Sequence, residues 1–215
     1  MLKKRIKKIN LNLKQAKKVK QFYSKQYNFK KMSVKLVYSK VRDVKSPVRG
    51  TSSSAGIDFF VPVLSPEFQN LIKEKNPRIA FWNTPDARSI VLHPHERVLI
   101  PSGIHVNLFS IGKKISETLE KAGIALIAHN KSGVGSKLGL DRLAEVVDED
   151  YQGELHISLV NTGGYPMKIH AGEKLIQFVL VPVMYGGTQE LPLDKLYSDT
   201  SMRGIGGFGS TDAKK

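Results

Sequence analysis

Short hydrophobic runs rich in Val, Ile and Leu recur along most of the chain, and Gly and Pro residues separate them. Runs of about four to eight such residues, bounded by turn-forming residues, are typical of β-strands. No long segment with the periodicity of an amphipathic helix follows residue 31. The pattern therefore predicts an all-β core.

Strands and turns alternate along this predicted core. The expected strands occupy residues 34–44, 89–92, 97–101 and 104–108, and a further β pattern runs to residue 183. Turn residues divide that last stretch at Gly133, Gly153, Gly163, Gly164 and Gly172. The spacing favours many short strands joined by tight turns.

Two segments interrupt the β pattern. Residues 64–88 are polar and predict an inserted excursion with a short helix at residues 67–73. Residues 110–123 predict a second insertion, with helical character between residues 113 and 121. Each insertion is either a peripheral decoration or a surface for another partner.

The two ends of the chain differ from the core in composition. Residues 1–31 hold 12 Lys or Arg and no acid, and their apolar residues have helical spacing: Leu2, Ile6, Ile9, Leu13 and Ala16. Three interpretations of this basic extension stay open. It is an amphipathic helix that contacts nucleic acid or an anionic surface, an address signal, or a flexible appendage that precedes a translation start at Met32. Residues 201–215 are rich in glycine and predict a flexible arm that orders on a ligand. We expect one core domain at residues 32–200.

Charge and composition refine this view. The net charge of +15 arises mainly from the extension, because the other 22 Lys and Arg face 19 acidic residues and leave a balance of +3. The absence of cysteine excludes disulfides and thiolate metal sites. No apolar stretch reaches the roughly 18 residues needed to span a bilayer. We expect a soluble, intracellular protein without a membrane span, in the cytoplasm, with the nucleus or an organelle as alternatives.

Candidate chemistry lies in two polar segments of the core. Asp148, Glu149 and Asp150 lie between two strand-like runs, where a carboxylate can act as a general base on water. The alternative is a solvated acidic turn. Lys131 and Ser132 precede glycines in HNKSGVGSK, a composition suited to phosphate oxygens. The alternative there is an ordinary β-turn.

The glycine-rich arm offers a third set of groups. RGIGGFGST contains a fork-shaped cation, an aromatic ring and two hydroxyls, namely Arg203, Phe208, Ser210 and Thr211. A disordered terminus is the alternative. His93 and His95 form an HxH pair beside Pro94, which indicates a loop rather than a metal site because no third ligand is evident.

Five segments resemble, in order, the five motifs of the trimeric dUTPase family. They are AGIDF (55–59), NKSG (130–133), VVDEDYQGE (146–154), GEKLIQF (172–178) and RGIGGFGST (203–211). The resemblance implies a jelly-roll-like fold, a homotrimer with shared active sites, and hydrolysis of dUTP to dUMP and pyrophosphate. That reaction would keep uracil out of DNA and supply dUMP for dTMP synthesis.

The resemblance also implies roles for single residues. Asp148 matches the general base that activates the water attacking the α-phosphate, and Tyr151 matches the residue that packs on deoxyribose. Residues 140–148, which include Val147, resemble a hairpin whose backbone pairs with the uracil edge and rejects other bases.

Phosphate and metal binding follow from the same resemblance. Lys131, Ser132, Gly133 and Gln177 match positions that hold the phosphates, and Asp58 matches an acid that orients a hydrated Mg²⁺ with no direct protein ligand. The arm residues that would close over the substrate are Arg203, Phe208, Gly209, Ser210 and Thr211.

Several positions depart from the family pattern. Lys131 stands where arginine is frequent, so the phosphate grip lacks a bidentate fork. Leu143 and Glu145 stand where glycines are frequent in the uracil-reading segment. Two other functions stay open: a dCTP deaminase, against which the RGIGGFGST arm argues, and a binding or regulatory protein built on a dUTPase scaffold.

Overall fold

The computed structural model describes residues 34–85, 87–117, 121–199 and 201. Strands dominate this part of the chain, and helices are short. The strands are β1 (Val37–Lys40), β2 (Ile57–Phe59), β3 (Ala80–Asn83), β4 (Arg88–Leu92), β5 (Arg97–Asn107), β6 (Ala122–Asn130), β7 (Leu140–Arg142), β8 (Val146–Val147), β9 (Glu154–Asn161), β10 (Met167–His170) and β11 (Ile176–Met184). The helices are α1 (Pro66–Lys75), α2 (Phe109–Ser116), α3 (Leu193–Leu196) and a π-helix (Val134–Leu138). The prediction of an all-β core is confirmed.

The strands form three antiparallel sheets, ordered β1-β5-β9-β7, β2-β11-β6-β8 and β10-β4-β3. Side chains from all three sheets and from α1 and α2 form one buried hydrophobic cluster. At its centre the rings of Phe59 and Phe178 meet edge to face, with centroids 4.7 Å apart. Layered antiparallel sheets around a single core give the jelly-roll-like architecture that the sequence predicts.

Strand β5 joins two strands that the sequence pattern separates. A register shift lies between Pro101 and His105, where Gly103 has a φ of +76°. A methyl group on Gly103 would lie 2.9 Å from Val44 Cγ1. Glycine therefore lets the chain form a β-bulge without ending the strand. The hydrophobic pattern shows only a break at this point and so predicts two strands instead of one.

The first insertion contains the predicted helix, and it also extends a sheet. Helix α1 begins after Ser65, whose Oγ accepts a hydrogen bond from Phe68 N, and has Pro66 in its first turn. Strand β3 then pairs with β4. Strand β3 is short and largely exposed, so the hydrophobic pattern does not predict it.

The second insertion is helical at its beginning. Helix α2 starts at Phe109, before the expected residue 113, and it ends at Ser116. Ile111 and Ile115 are buried on the side that faces the core. The insertion therefore contributes to the core rather than only decorating it.

Residues 140–148 do not form the predicted hairpin. Strand β7 pairs with β9, whereas β8 pairs with β6 in a different sheet. The segment between them crosses from one sheet to the other, and Glu145 O accepts a hydrogen bond from Ala128 N. Each end finds an edge strand from elsewhere in the chain, and that pairing is invisible to local sequence patterns.

Several predictions concern residues outside the described part of the chain. The basic extension and the arm residues Arg203, Phe208, Gly209, Ser210 and Thr211 belong to this group. Among the described residues, no helix has the length and apolar character required to cross a membrane.

Candidate active site

Three of the sequence motifs meet at the adjacent strands β2, β11 and β6. Strand β11 lies between β2 and β6, and its Gln177 faces Asp58 on one side and His129 on the other. Gln177 Nε2 donates to Asn130 O at 3.0 Å. A methyl group on Gly56 would overlap the Gln177 side chain. The first motif therefore needs glycine at this position so that the Gln177 side chain of the fourth motif can pack against it.

Asp58 is a buried carboxylate with cationic neighbours. Lys131 Nζ lies 2.5 Å from Asp58 Oδ1, and Lys174 Nζ lies 3.4 Å from Oδ2. Two ammonium groups compensate the negative charge, which burial would otherwise make costly. Lys174 was not among the predicted site residues, although it lies within the GEKLIQF motif and could have been found there.

The turn after β6 exposes groups suited to an anion. Val134 N and Gly135 N both donate to Lys131 O, so Ser132 and Gly133 lie at the beginning of a helical turn. A methyl group on Gly133 would meet no neighbour within 4 Å. A cavity of about 390 Å³ lies here, and its lining includes Lys131 and Ser132.

A side-chain network fixes this turn against β7. Asn130 Nδ2 donates to Asp141 Oδ1 at 2.5 Å, and Asn130 Oδ1 accepts from Arg142 N at 3.0 Å. The amide of Asn130 is therefore used on both sides. Asn130 opens the second motif, but its structural partners come from a strand that the sequence could not place.

The acidic turn between β8 and β9 lies beside an earlier part of β6, away from the turn at Lys131. Tyr151 N donates to Asp148 O at 3.2 Å, which closes a tight turn. The Asp148 side chain is exposed, and Tyr151 lies over Gly153 with its hydroxyl donating to Glu154 O at 3.0 Å. Val147, Asp148 and Tyr151 together line a cavity of about 230 Å³.

Two further titratable residues line this second cavity. Burial raises the pKa of Glu154, but hydrogen bonds from Arg42 and from Gly103 N outweigh it and hold the pKa below its usual range. Arg42 grips Glu154 through Nε and Nη2, at 3.0 and 2.9 Å. Burial lowers the pKa of His156, whose Nε2 is buried without a hydrogen-bond partner. Neither residue was predicted from the sequence to be functional.

The two cavities are distinct within one chain and share no lining residue. In the pairing of β8 with β6, Val147 lies opposite Leu126. Continuing this register places Asp148 beside residue 125, six residues before Lys131 along β6. Six residues of an extended strand span about 20 Å. The structure therefore does not bring the acidic turn and the phosphate-type turn together in one chain.

The histidine pair lies apart from both cavities. His95 has a φ of +64°, and its backbone N donates to Asn161 O at 2.7 Å, which places it in a constrained turn. In the described ranges no three His, Asp or Glu side chains cluster in a way that could hold a metal ion.

The sequence comparisons identify the family. A family model described as dUTPase matches residues 70–212. The chain belongs to the dUTPase family. The match begins after the first dUTPase motif at residues 55–59, which the first insertion separates from the rest.

Two relatives illustrate the extent of similarity among dUTPases. The deoxyuridine 5'-triphosphate nucleotidohydrolase of Hahella chejuensis is 37% identical over 130 residues, which cover 60% of this chain and 76% of that protein. The enzyme of the same name from Chromobacterium violaceum is 30% identical over 182 residues, which cover 84% of this chain and 95% of that protein.

Solved dUTPase structures share the fold. A mutant dUTPase of Staphylococcus bacteriophage 80alpha with dUpNHpp superposes with a TM-score of 0.56 at 20% identity, covering 83% of this chain and 99% of that one. The dUTPase of phage phi11 of S. aureus has a TM-score of 0.52 at 18% identity, covering 76% of this chain and all of that one. At such identities the similarity supports the architecture alone.

Proposed function

We propose that this dUTP diphosphatase cleaves dUTP to dUMP and pyrophosphate with Asp148 as the general base. The supporting observation is an exposed carboxylate at a tight turn, beside Tyr151 and a cavity large enough for part of a nucleotide. Among the described residues no cation pairs with the Asp148 carboxylate, so both of its oxygens are free to accept a proton.

The reaction needs one proton transfer at this carboxylate. Asp148 takes a proton from water as the water oxygen bonds to the α-phosphorus. The bond from that phosphorus to the oxygen bridging toward the β-phosphorus breaks, and pyrophosphate leaves with the electron pair.

Each active site is shared between subunits of a homotrimer in this proposal. The separation of about 20 Å between Asp148 and Lys131 along β6 prevents one chain from placing both on the same triphosphate. A second subunit that supplies the acidic turn removes this difficulty. The arm, with Arg203, Phe208, Gly209, Ser210 and Thr211, would complete the site from the family resemblance.

Base and sugar recognition belong to the acidic-turn half. Tyr151 would pack on the deoxyribose ring, where a 2′-hydroxyl would be crowded out. Val147 lines the same cavity, and the backbone of the segment that enters β8 would read the uracil edge. Backbone donors and acceptors discriminate strongly, because a mismatched base leaves buried polar groups unpaired.

The other half would hold the phosphates and Mg²⁺. Lys131 and Ser132 supply a cation and a hydroxyl to the cavity at this turn. Gly133 offers an open backbone next to them, and the Gln177 amide bonds to Asn130 O beside the turn. Asp58 fits a role toward a hydrated ion only, because its two oxygens already face lysines and retain lone pairs for a water molecule. When bound with the triphosphate, Mg²⁺ would neutralise phosphate charge.

Low cellular dUTP would follow from this activity. The enzyme would keep uracil out of newly made DNA, and its product dUMP would serve as a precursor for dTMP.

Pyrophosphate release from dUTP, dCTP, dTTP and UTP, with Mg²⁺ and with EDTA, tests the proposal. Release from dUTP alone, lost with EDTA, is expected. Asp148→Asn should lower kcat by at least about 10²-fold while KM for dUTP stays within about tenfold, because the phosphate grip remains. Ammonia release from dCTP would instead indicate a deaminase, and normal turnover by Asp148→Asn would refute the assignment of the base.

A further inference from the structure

Glu149 behaves differently from the acids on either side of it. Asp148 and Asp150 are exposed, whereas the Glu149 side chain turns toward the protein and is half-buried. Its Oε2 accepts hydrogen bonds from Ile124 N at 3.0 Å and from the Tyr185 hydroxyl at 2.8 Å. The middle carboxylate of the turn is therefore bound to two other parts of the chain.

The bond to Ile124 N continues the pairing of two strands. Ala128 N donates to Glu145 O, and Leu126 lies opposite Val147. The next position in this antiparallel register pairs residue 124 with residue 149. At this position the Glu149 carboxylate, rather than a backbone carbonyl, accepts the hydrogen bond from Ile124 N. The hydrogen-bonded pairing of β8 with β6 therefore ends on a side chain of the acidic turn.

Two glycines make room for this carboxylate. A methyl group on Gly112, in helix α2, would overlap both carboxylate oxygens of Glu149. A methyl group on Gly123, in β6, would overlap Glu149 and the Tyr185 ring. The second insertion thus forms one wall of the Glu149 site.

Tyr185 closes the remaining side. It follows β11, and its backbone N donates to Lys121 O at 2.7 Å, which extends the pairing with β6. The hydrogen bond to Glu149 raises the pKa of Tyr185 to about 12, with smaller contributions from burial and from nearby acids. The Tyr185 hydroxyl is the donor in this hydrogen bond.

We propose that Glu149 is a positioning residue that holds the acidic turn so that Asp148 points at the attacking water. This inference rests on the proposed role of Asp148. A turn fixed only by its own bond from Tyr151 N would let Asp148 swing, whereas Glu149 ties the turn to β6, to helix α2 and to Tyr185. Helix α2 is thereby a support of the active site.

Four variants assayed for dUTP hydrolysis test this role. Glu149→Ala should lower kcat by about 10- to 100-fold with KM within about threefold, because misplacing a catalytic group by about 1 Å costs on this order. Glu149→Gln keeps an oxygen acceptor for Ile124 N and should restore kcat to within about threefold of the original enzyme. Gly112→Ala, which displaces the carboxylate sterically, should resemble Glu149→Ala. Tyr185→Phe should lower kcat by about threefold.

Gly164→Ala is the matched control for Gly112→Ala, because a methyl group there meets nothing within 4 Å. Unchanged kcat in Glu149→Ala and Tyr185→Phe, beside an inactive Asp148→Asn, would overturn the positioning role and leave the proposed function intact. Equal losses in Glu149→Ala and Glu149→Gln would also overturn it. An active Asp148→Asn would instead refute the proposed function itself. If Gly112→Ala does not fold, Tyr185→Phe together with Glu149→Ala and Glu149→Gln still tests the positioning role.

Discussion

Single carboxylates in this protein are defined by partners far away in sequence. Glu154 is the last residue of the third motif. Its carboxylate accepts hydrogen bonds from Arg42, which lies between β1 and β2, and from Gly103 N in β5. Asp58 lies in the first motif, and its lysines come from the second and fourth. The motifs therefore predict which charged side chains are candidates for the site, but the fold sets the distances between those side chains.

The lowered pKa of Glu154 predicts a pH dependence of stability. Because the folded state favours the charged form, Glu154 contributes stability above its ordinary pKa of 4.5 and loses that contribution as pH falls through the lowered folded value. Urea unfolding of the original protein and of Glu154→Gln should therefore show a stability difference at neutral pH that shrinks below pH 4.5. A difference that grows on acidification would contradict this sign.

Helix α1 shows how an inserted element is joined to the core. Asn76 at its end donates to Ile72 O and to Leu99 O, and its Oδ1 accepts from Leu99 N at 2.8 Å. One amide thus caps the helix and pairs with β5 as a backbone strand would. The polar composition of this insertion indicates exposure, and nothing in it reveals the contact with β5.

Asn76→Ala should destabilise the protein by about 1–3 kcal/mol, because it leaves Leu99 N and the helix end without these partners. Asn70→Ala, in the exposed part of the same helix, is the matched control and should change the free energy of unfolding by less than about 0.5 kcal/mol. Thermal and urea unfolding measure both variants. Equal effects would show that the bonds to Leu99 do not anchor the insertion.

At the level of the whole molecule, the proposed site residues line two separate cavities of the chain. Lys131 and its neighbours line one cavity, and Asp148 and Tyr151 line another. Closed oligomers place such halves together at subunit interfaces. The proposed reaction therefore calls for a second chain that supplies the missing half, as the proposed homotrimer would.

Mixing two inactive variants tests the shared site. Asp148→Asn and Lys131→Ala should each lose most activity alone. When co-expressed in equal amounts, random assembly should give about a quarter of the sites two intact halves, with activity to match. No recovery in mixed oligomers, with sedimentation showing that they form, would contradict sharing between subunits.

The sequence alone determined the strand-rich core, the helix of the first insertion, the five motifs and the family, because these depend on local patterns of hydrophobic, turn-forming and chemically distinctive residues. Only the tertiary structure decided that residues 140–148 divide between two sheets, that β5 runs through Gly103, and that Glu149 turns inward toward helix α2. These features depend on pairings between residues far apart in the chain. The local periodicity of a segment does not determine which edge strand it will pair with, or which glycine it will pack against.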